Sequence, residues 1–109
     1  MSAYMIADVG IISGERYESY RVAVRAAIER NGGRYLVRGG DVTVIEGTWD
    51  PERLVVVEFP TLEQAESFYK SPEYLEARTL RQNAAMVNMI LIDGTADQPI
   101  STIPPQGTS

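Results

Sequence analysis

The stretch "GGRYLVRGGD", Gly32 to Asp41, sets two glycine pairs around a short segment that begins and ends in arginine. Read as an anion-binding loop, it places a phosphate cradle after a helix. Read as a strand between backbone hinges, it opens the second half of a split β-α-β unit. A Walker-type cradle requires G-x-x-x-x-G-K-[ST] between strand and helix, whereas Gly39-Gly40 is followed by Asp41 and by another strand-like run. The phosphate reading fails on spacing. The glycines instead supply a helix terminator at Gly32-Gly33, where positive φ is needed, and a bulge or sharp kink at Gly39-Gly40 that lets RYLVR leave the line of VTVIEG.

Upstream of this stretch, AYMIADVGI is rich in apolar and β-branched residues and reads as a first strand ending near Gly10. From Glu15 onward, Tyr17, Tyr20, Val24, Ala27 and Ile28 recur at spacings of three and four, which marks the apolar face of a helix closed by Asn31-Gly32-Gly33. Downstream, RYLVR and VTVIEG form a second strand region. A hairpin through Asp50-Pro51 joins it to LVVVEF, whose nearly unbroken apolar run marks a central strand. Thr61 and Gln64 form a capping box that starts a helix. Ser71-Pro72-Glu73 restarts it with a capping hydroxyl, a proline at the first helical position and an acid in the first turn, so this helical region is two pieces. MVNMILID is the last strand. The domain therefore spans 1–94, and 95–109 is an irregular Gly/Pro/Thr/Ser-rich tail with Ile100 and Ile103 as its only anchors.

The order β-α-β-β-α-β is the α+β, ferredoxin-like sandwich: a four-stranded antiparallel sheet in spatial order 4-1-3-2 with its helices on one face. Sorting strand residues by parity supports this. One set (Met5, Ala7, Val9, Tyr35, Val37, Val55, Val57, Phe59, Val87, Met89, Leu91) is almost wholly apolar, as a helix-covered face must be. The other set mixes Ile6, Leu36, Leu54, Val56 and Ile90 with Tyr4, Asp8, Arg34, Arg38, Glu58 and Asn88. That face is too apolar to stand in water, so a second copy of the chain is its expected cover.

Composition narrows the chemistry. The 109 residues, 44% hydrophobic, fit one domain with one core. With no Cys and no His, thiol nucleophiles, imidazole acid/base catalysis and the usual zinc sites are excluded. The start MSAYMIADVG has neither a basic region nor a long apolar run, so the chain is expected to be cytoplasmic and not membrane-bound. A net charge of −5 disfavours nucleic acid, whose binding depends on neutralising phosphates.

Three stretches resemble a known family: GGRYLVRGG, then EGTWDPERLVVVEFPTLEQAESFYKSPEY, then Arg78 ahead of the last strand. Over about residues 3–94 the chain resembles the bacterial domain of unknown function thirteen-thirty, a branch of the dimeric alpha-beta barrel superfamily, in which two ferredoxin-like sheets pack face to face. The resemblance implies this fold and a homodimer through the sheet face. It implies no activity, because the family has no established catalytic residues and the superfamily spans isomerases, cofactor-independent oxygenases and haem enzymes. The haem branch usually carries a proximal His, which this sequence lacks, and no cofactor or metal is expected.

The candidate site is the polar set on the mixed face. With strands one and three taken as parallel, Asp8 and Glu58 both fall near strand ends and are expected to be neighbours, sharing a proton as an acid/base pair. Arg38 and Arg34, with Asn88 and Tyr4 nearby, are the expected substrate contacts, an arginine fork suiting a carboxylate or enolate oxygen. Two functions follow from this face. In one, a dimeric protein binds or transforms a small carboxylated or enolisable metabolite in a cleft on the sheet face, without a tightly bound cofactor. In the other, a non-catalytic structural or regulatory homodimer closes the sheet-sheet interface, and a Glu58–arginine ion pair fixes its register. Trp49, in the turn before Asp50-Pro51, is expected to cap the dimer edge or rim a pocket, and Tyr17, Tyr20 and Phe68 to pack in the core.

Overall fold

The computed structural model describes residues 2–94, so the tail expected over 95–109 lies outside the described residues. The elements are β1 (Ala3–Ile11), α1 (Gly14–Arg30), β2 (Arg34–Arg38), β3 (Leu54–Phe59), α2 (Leu62–Lys70), α3 (Pro72–Leu80) and β4 (Ala85–Asp93). Their sheet order is β2-β3-β1-β4 with every pairing antiparallel, which is the expected 4-1-3-2 order of the ferredoxin-like fold.

The core lies between the helices and one face of the sheet. β1 alternates buried and half-buried residues along its length, with Ala3, Met5, Ala7 and Val9 inward. α1 answers with Tyr17, Tyr20, Val24, Ala27 and Ile28, all buried, as its three-and-four spacing predicts. Beside them runs an aromatic ladder. The Phe59 and Phe68 rings are 5.3 Å apart, Phe68 and Tyr74 4.8 Å, both tilted and with all three residues fully buried. Burying one such ring contributes about 1.5–3 kcal/mol before packing is counted.

Local chemistry sets the element ends. Ser13 caps α1 by accepting from the Arg16 amide, and Gly32, at φ 79°, takes the left-handed conformation that stops it. A Cβ at Gly33 would sit 2.7 Å from the Phe59 ring and 2.8 Å from Ile28, so the chain passes that ring only because Gly33 has none. Thr61 accepts from the Gln64 amide as the capping box predicts. The Gln64 side chain, however, reaches the Asn31 carbonyl at 3.4 Å instead of folding back, so half of the box ties α2 to the end of α1. Ser71 closes α2 and opens α3: its Oγ donates to the Phe68 carbonyl at 2.7 Å and accepts from the Tyr74 amide at 3.1 Å.

Two expectations about the middle of the chain are corrected. VTVIEG is not a strand; residues 39–53 form an irregular connection, and β2 and β3 are joined through all of it and not through a short turn at Asp50-Pro51. A strand needs a ladder, and within one chain both edges of β3 are already taken by β2 and β1. The glycine pair does kink the chain, Gly39 lying at φ 75°, but the bulge sits inside β2, where the pairing slips between Tyr35 and Val37.

Because one hydroxyl caps two helices that carry Phe68 and Tyr74 into the core, Ser71→Ala should lower the unfolding free energy by about 1 kcal/mol in urea titration. An unmoved midpoint would show that these backbone groups find other partners.

Candidate functional site

The slip in β2 decides which side chains can meet. Arg34 stands opposite Glu58 and Tyr35 opposite Val57; beyond the extra residue, Leu36, Val37 stands opposite Val56 and Arg38 opposite Val55. Val55 packs against the core, so Arg38 turns to the helix side and Val37 takes its expected place on the open face. The two arginines of GGRYLVRGG thus face opposite ways, which corrects the expectation that both serve one site.

The expected carboxylate pair is also corrected. β1 and β3 run antiparallel, so Tyr4 faces Glu58 while Asp8 faces Leu54. Four residues of strand separate the two acids, about 13 Å at the usual rise. They share no proton. Glu58 belongs to one end of the open face, where its Oε1 accepts from Arg34 Nε at 2.7 Å and its Oε2 from the Tyr4 hydroxyl at 3.4 Å. The Arg34 hydrogen bond, then that of the Ser2 side chain, holds the Glu58 carboxyl below its usual range against a weaker upward push from burial.

Asp8 belongs to the other end. It stands opposite Asn88, and the Trp49 indole donates to its Oδ2 at 3.4 Å, so Trp49 folds over the sheet and rims a depression with Ile6, Leu54 and Ile90. That is the rim position expected for it. Of the six side chains expected on the mixed face, Tyr4, Asp8, Arg34, Glu58 and Asn88 are there in two separate groups, and Arg38 is not.

On the helix side, the slip completes a different cluster. A cavity of about 50 Å³ between α1 and the sheet is floored by Met5, Ala7, Val55 and Met89, walled by Tyr17, Tyr20 and Val24, and ringed by Tyr35, Arg21, Arg38 and Arg53. The Arg38 guanidinium lies over the Tyr35 ring, 4.7 Å from its centre. Arg53 donates from Nη2 to the Arg38 carbonyl at 3.2 Å, and its Nε is buried with no acceptor. Arg21 is paired with Glu18, whereas neither Arg38 nor Arg53 has an acidic partner among the described residues. Gly39 makes this possible: a Cβ there would lie 2.6 Å from the Arg53 guanidinium carbon.

Deeper in, the Tyr20 and Tyr74 hydroxyls lie 3.5 Å apart, and Arg81 donates to Tyr74 at 3.2 Å. Burial first, and the Tyr74 phenol second, push Tyr20 far above the usual phenol range, so it is a neutral phenol at every physiological pH. Tyr35 is also pushed up by burial, with Arg38 pulling the other way. Period-two sorting misses Arg53 because it lies outside the strand, and it misplaces Arg38 because the inserted residue has no signature in residue type.

The sequence pattern of the family described as "Domain of unknown function (DUF1330)" matches residues 2–95. No protein of curated function matches the chain. Among solved structures, the Rhodopseudomonas palustris protein RPA0582, of unknown function, is similar with a TM-score of 0.68 at 19% identity, over 93% of this chain and 84% of that one. SnoaB, a cofactor-independent oxygenase from Streptomyces nogalater, gives 0.60 at 12% identity, over 95% and 98%. A dimeric ferredoxin-like protein of unknown function from Thermobifida fusca gives 0.56 at 12%, over 85% and 91%. At these identities the likeness is one of fold.

Because the folded Glu58 carboxyl lies below its unfolded value, the Arg34–Glu58 pair stabilises the protein above the ordinary carboxylate range, and that contribution is lost as pH falls through the folded value. Carbon-detected NMR titration should place the Glu58 midpoint below the ordinary glutamate value, and Arg34→Gln should return it upward. A Glu58 midpoint unaffected by that change would contradict the pairing.

Proposed function

The chain belongs to this DUF1330 family of unknown function, and on that premise we propose a homodimer joined sheet face to sheet face. Each protomer binds a small carboxylated or enolisable metabolite, without a tightly held cofactor, in the cleft between α1 and the sheet. The dimer reading is supported by the open face. Leu36, Val37, Met86, Ile90 and Ile92 are all exposed there, a run of large apolar side chains of the kind that marks a protein–protein surface.

The observation that carries the ligand reading is the pair Arg38 and Arg53 over an apolar, tyrosine-walled cavity. A buried N–H without an acceptor costs about 1–3 kcal/mol, and a carboxylate oxygen at Arg53 Nε would recover it. Guanidinium groups bind carboxylates through paired, charge-assisted hydrogen bonds, and Arg38 is held ready by its stacking on Tyr35. Tyr20 lines the apolar wall further in as a neutral phenol, its hydroxyl 3.5 Å from that of Tyr74. The cavity of about 50 Å³ has room for a few water-sized groups, so the body of a metabolite enters only as Arg38 and the 39–53 connection swing outward. The likeness to the Streptomyces oxygenase transfers no reaction, because at 12% identity it carries the fold alone.

In this reading Asp8 and Glu58 are not an acid/base pair. Glu58 with Arg34 forms an ion pair across β3 and the edge strand β2 on the face where the partner would pack. The small cavity favours the competing reading, a non-catalytic homodimer.

Light scattering at micromolar concentration should give the mass of a dimer; a monomer would contradict the face-to-face assembly. Calorimetry against a panel of aliphatic and aromatic monocarboxylates should find a binder whose affinity falls about tenfold or more in Arg53→Gln and is unchanged in Arg34→Gln. A panel with no binder, or equal losses in both variants, would favour the non-catalytic dimer.

A further inference from the structure

We infer that the cleft ligand is a short dicarboxylate, with one carboxylate bound inside by Arg53 and the other at the mouth by Arg38. The inference rests on the carboxylate-cleft reading and narrows its ligand class. Charge at the cleft mouth carries it. Three guanidinium groups line the cavity between α1 and the sheet, those of Arg21, Arg38 and Arg53. Arg21 is already neutralised on its own helix, where its Nε donates to Glu18 Oε2 at 3.2 Å and its Nη2 pairs with Oε1. The Arg21 hydrogen bond holds the Glu18 carboxyl below its usual range, so that pair stays ionised near neutral pH. Arg38 and Arg53 have no acidic partner among the described residues, so two positive charges are left over.

The two leftover groups differ in depth. Arg53 is half-buried; its Nη2 donates to the Arg38 carbonyl at 3.2 Å, and its Nε is buried without an acceptor. Such an N–H points to an oxygen that the single chain does not supply. Arg38 is exposed, with its guanidinium carbon 4.7 Å from the centre of the Tyr35 ring. That contact requires none of its N–H donors, which remain for a planar carboxylate. A monocarboxylate satisfies one of these groups and leaves the other charged while the ligand body displaces its water. A second carboxylate removes that cost.

Shape limits the body between the two acids. The cavity of about 50 Å³ over Met5, Ala7, Val55 and Met89 takes only a few carbon-sized groups, so the linking chain is short. The same two contacts account for entry and closure. Gly40, with nothing within 4 Å of the place a Cβ would take, gives the backbone beside Arg38 room to turn. Arg38 moves aside to admit the inner carboxylate, and the outer carboxylate draws it back. A dicarboxylate is thus held by the group it had to displace, and leaves more slowly than a monocarboxylate of the same body.

Calorimetry on the full chain at about 0.15 M salt tests this with matched probes: butanoate against butanedioate, and benzoate against benzene-1,2-dicarboxylate. In at least one pair the diacid should bind about tenfold or more tighter than its monoacid. Arg38→Gln should bring the diacid down to the level of the monoacid, whereas Arg34→Gln, on the other face of the sheet, should leave the gap intact. A diacid no tighter than its monoacid, a gap that survives Arg38→Gln, or one that shrinks equally in Arg34→Gln overturns the inference. Orthophosphate binding as tightly as the better diacid also overturns it, because a single doubly charged centre would then suffice. In each of these cases a monoacid that still weakens in Arg53→Gln leaves the carboxylate-cleft reading standing. Probes that all fail to bind overturn both.

Discussion

Side chains in a strand alternate between two faces, and in this sheet one face is packed under helices while the other is bare. Every functional question about the chain therefore turns on parity, and parity in β2 changes at Leu36, where an extra residue enters the ladder. Before the slip, Arg34 lies on the bare face and meets Glu58. After it, Arg38 turns under the helix layer and lies against Tyr35, while Val37 joins the apolar surface outside. One inserted residue thus does two things: it makes the bare face more uniformly apolar, and it delivers a guanidinium to the mouth of the cleft.

The remaining architecture holds this arrangement in place. Ser71 breaks the second helical layer into α2 and α3, which lets Phe68 pack between Phe59 on one side and Tyr74 on the other. Tyr74 then supports Tyr20 from behind, and Arg81 anchors the pair. The cleft wall is therefore an extension of the core, with Tyr17 and Tyr20 buried behind it. Glycine does its part by absence. Gly33 clears the Phe59 ring and Gly39 clears Arg53, so the same stretch that first suggests a phosphate cradle serves as two close backbone passages.

The sheet order, the helix face of Tyr17 through Ile28, and the caps at Thr61 and Ser71 were legible because each rests on short-range chemistry or on simple periodicity. The position of the bulge was not, since Tyr35, Leu36 and Val37 are all at home on either face of a strand. From that single ambiguity came the misplacement of Arg38. The Asp8–Glu58 pairing failed for a different reason: in a fully antiparallel sheet the end of β1 lies beside the start of β3, and treating these strands as parallel brought together two acids about 13 Å apart. VTVIEG reads as a strand because its residues favour one, but propensity supplies no partner, and in the single chain this segment pairs with no strand. Trp49 was recognisable as a rim residue from its exposed turn, though its hydrogen bond to Asp8 follows from the path of the 39–53 connection alone.

The claim on which the cleft, the bare face and the assembly all depend is the parity change at Leu36. Nuclear Overhauser contacts from the Arg38 side-chain methylenes test it most directly. The account predicts cross-peaks to the Tyr35 ring and the Val55 methyls, with Val37 methyls seeing Val56. Cross-peaks from Arg38 to Val56 and Ile6, with Val37 turned toward the helices, would contradict it.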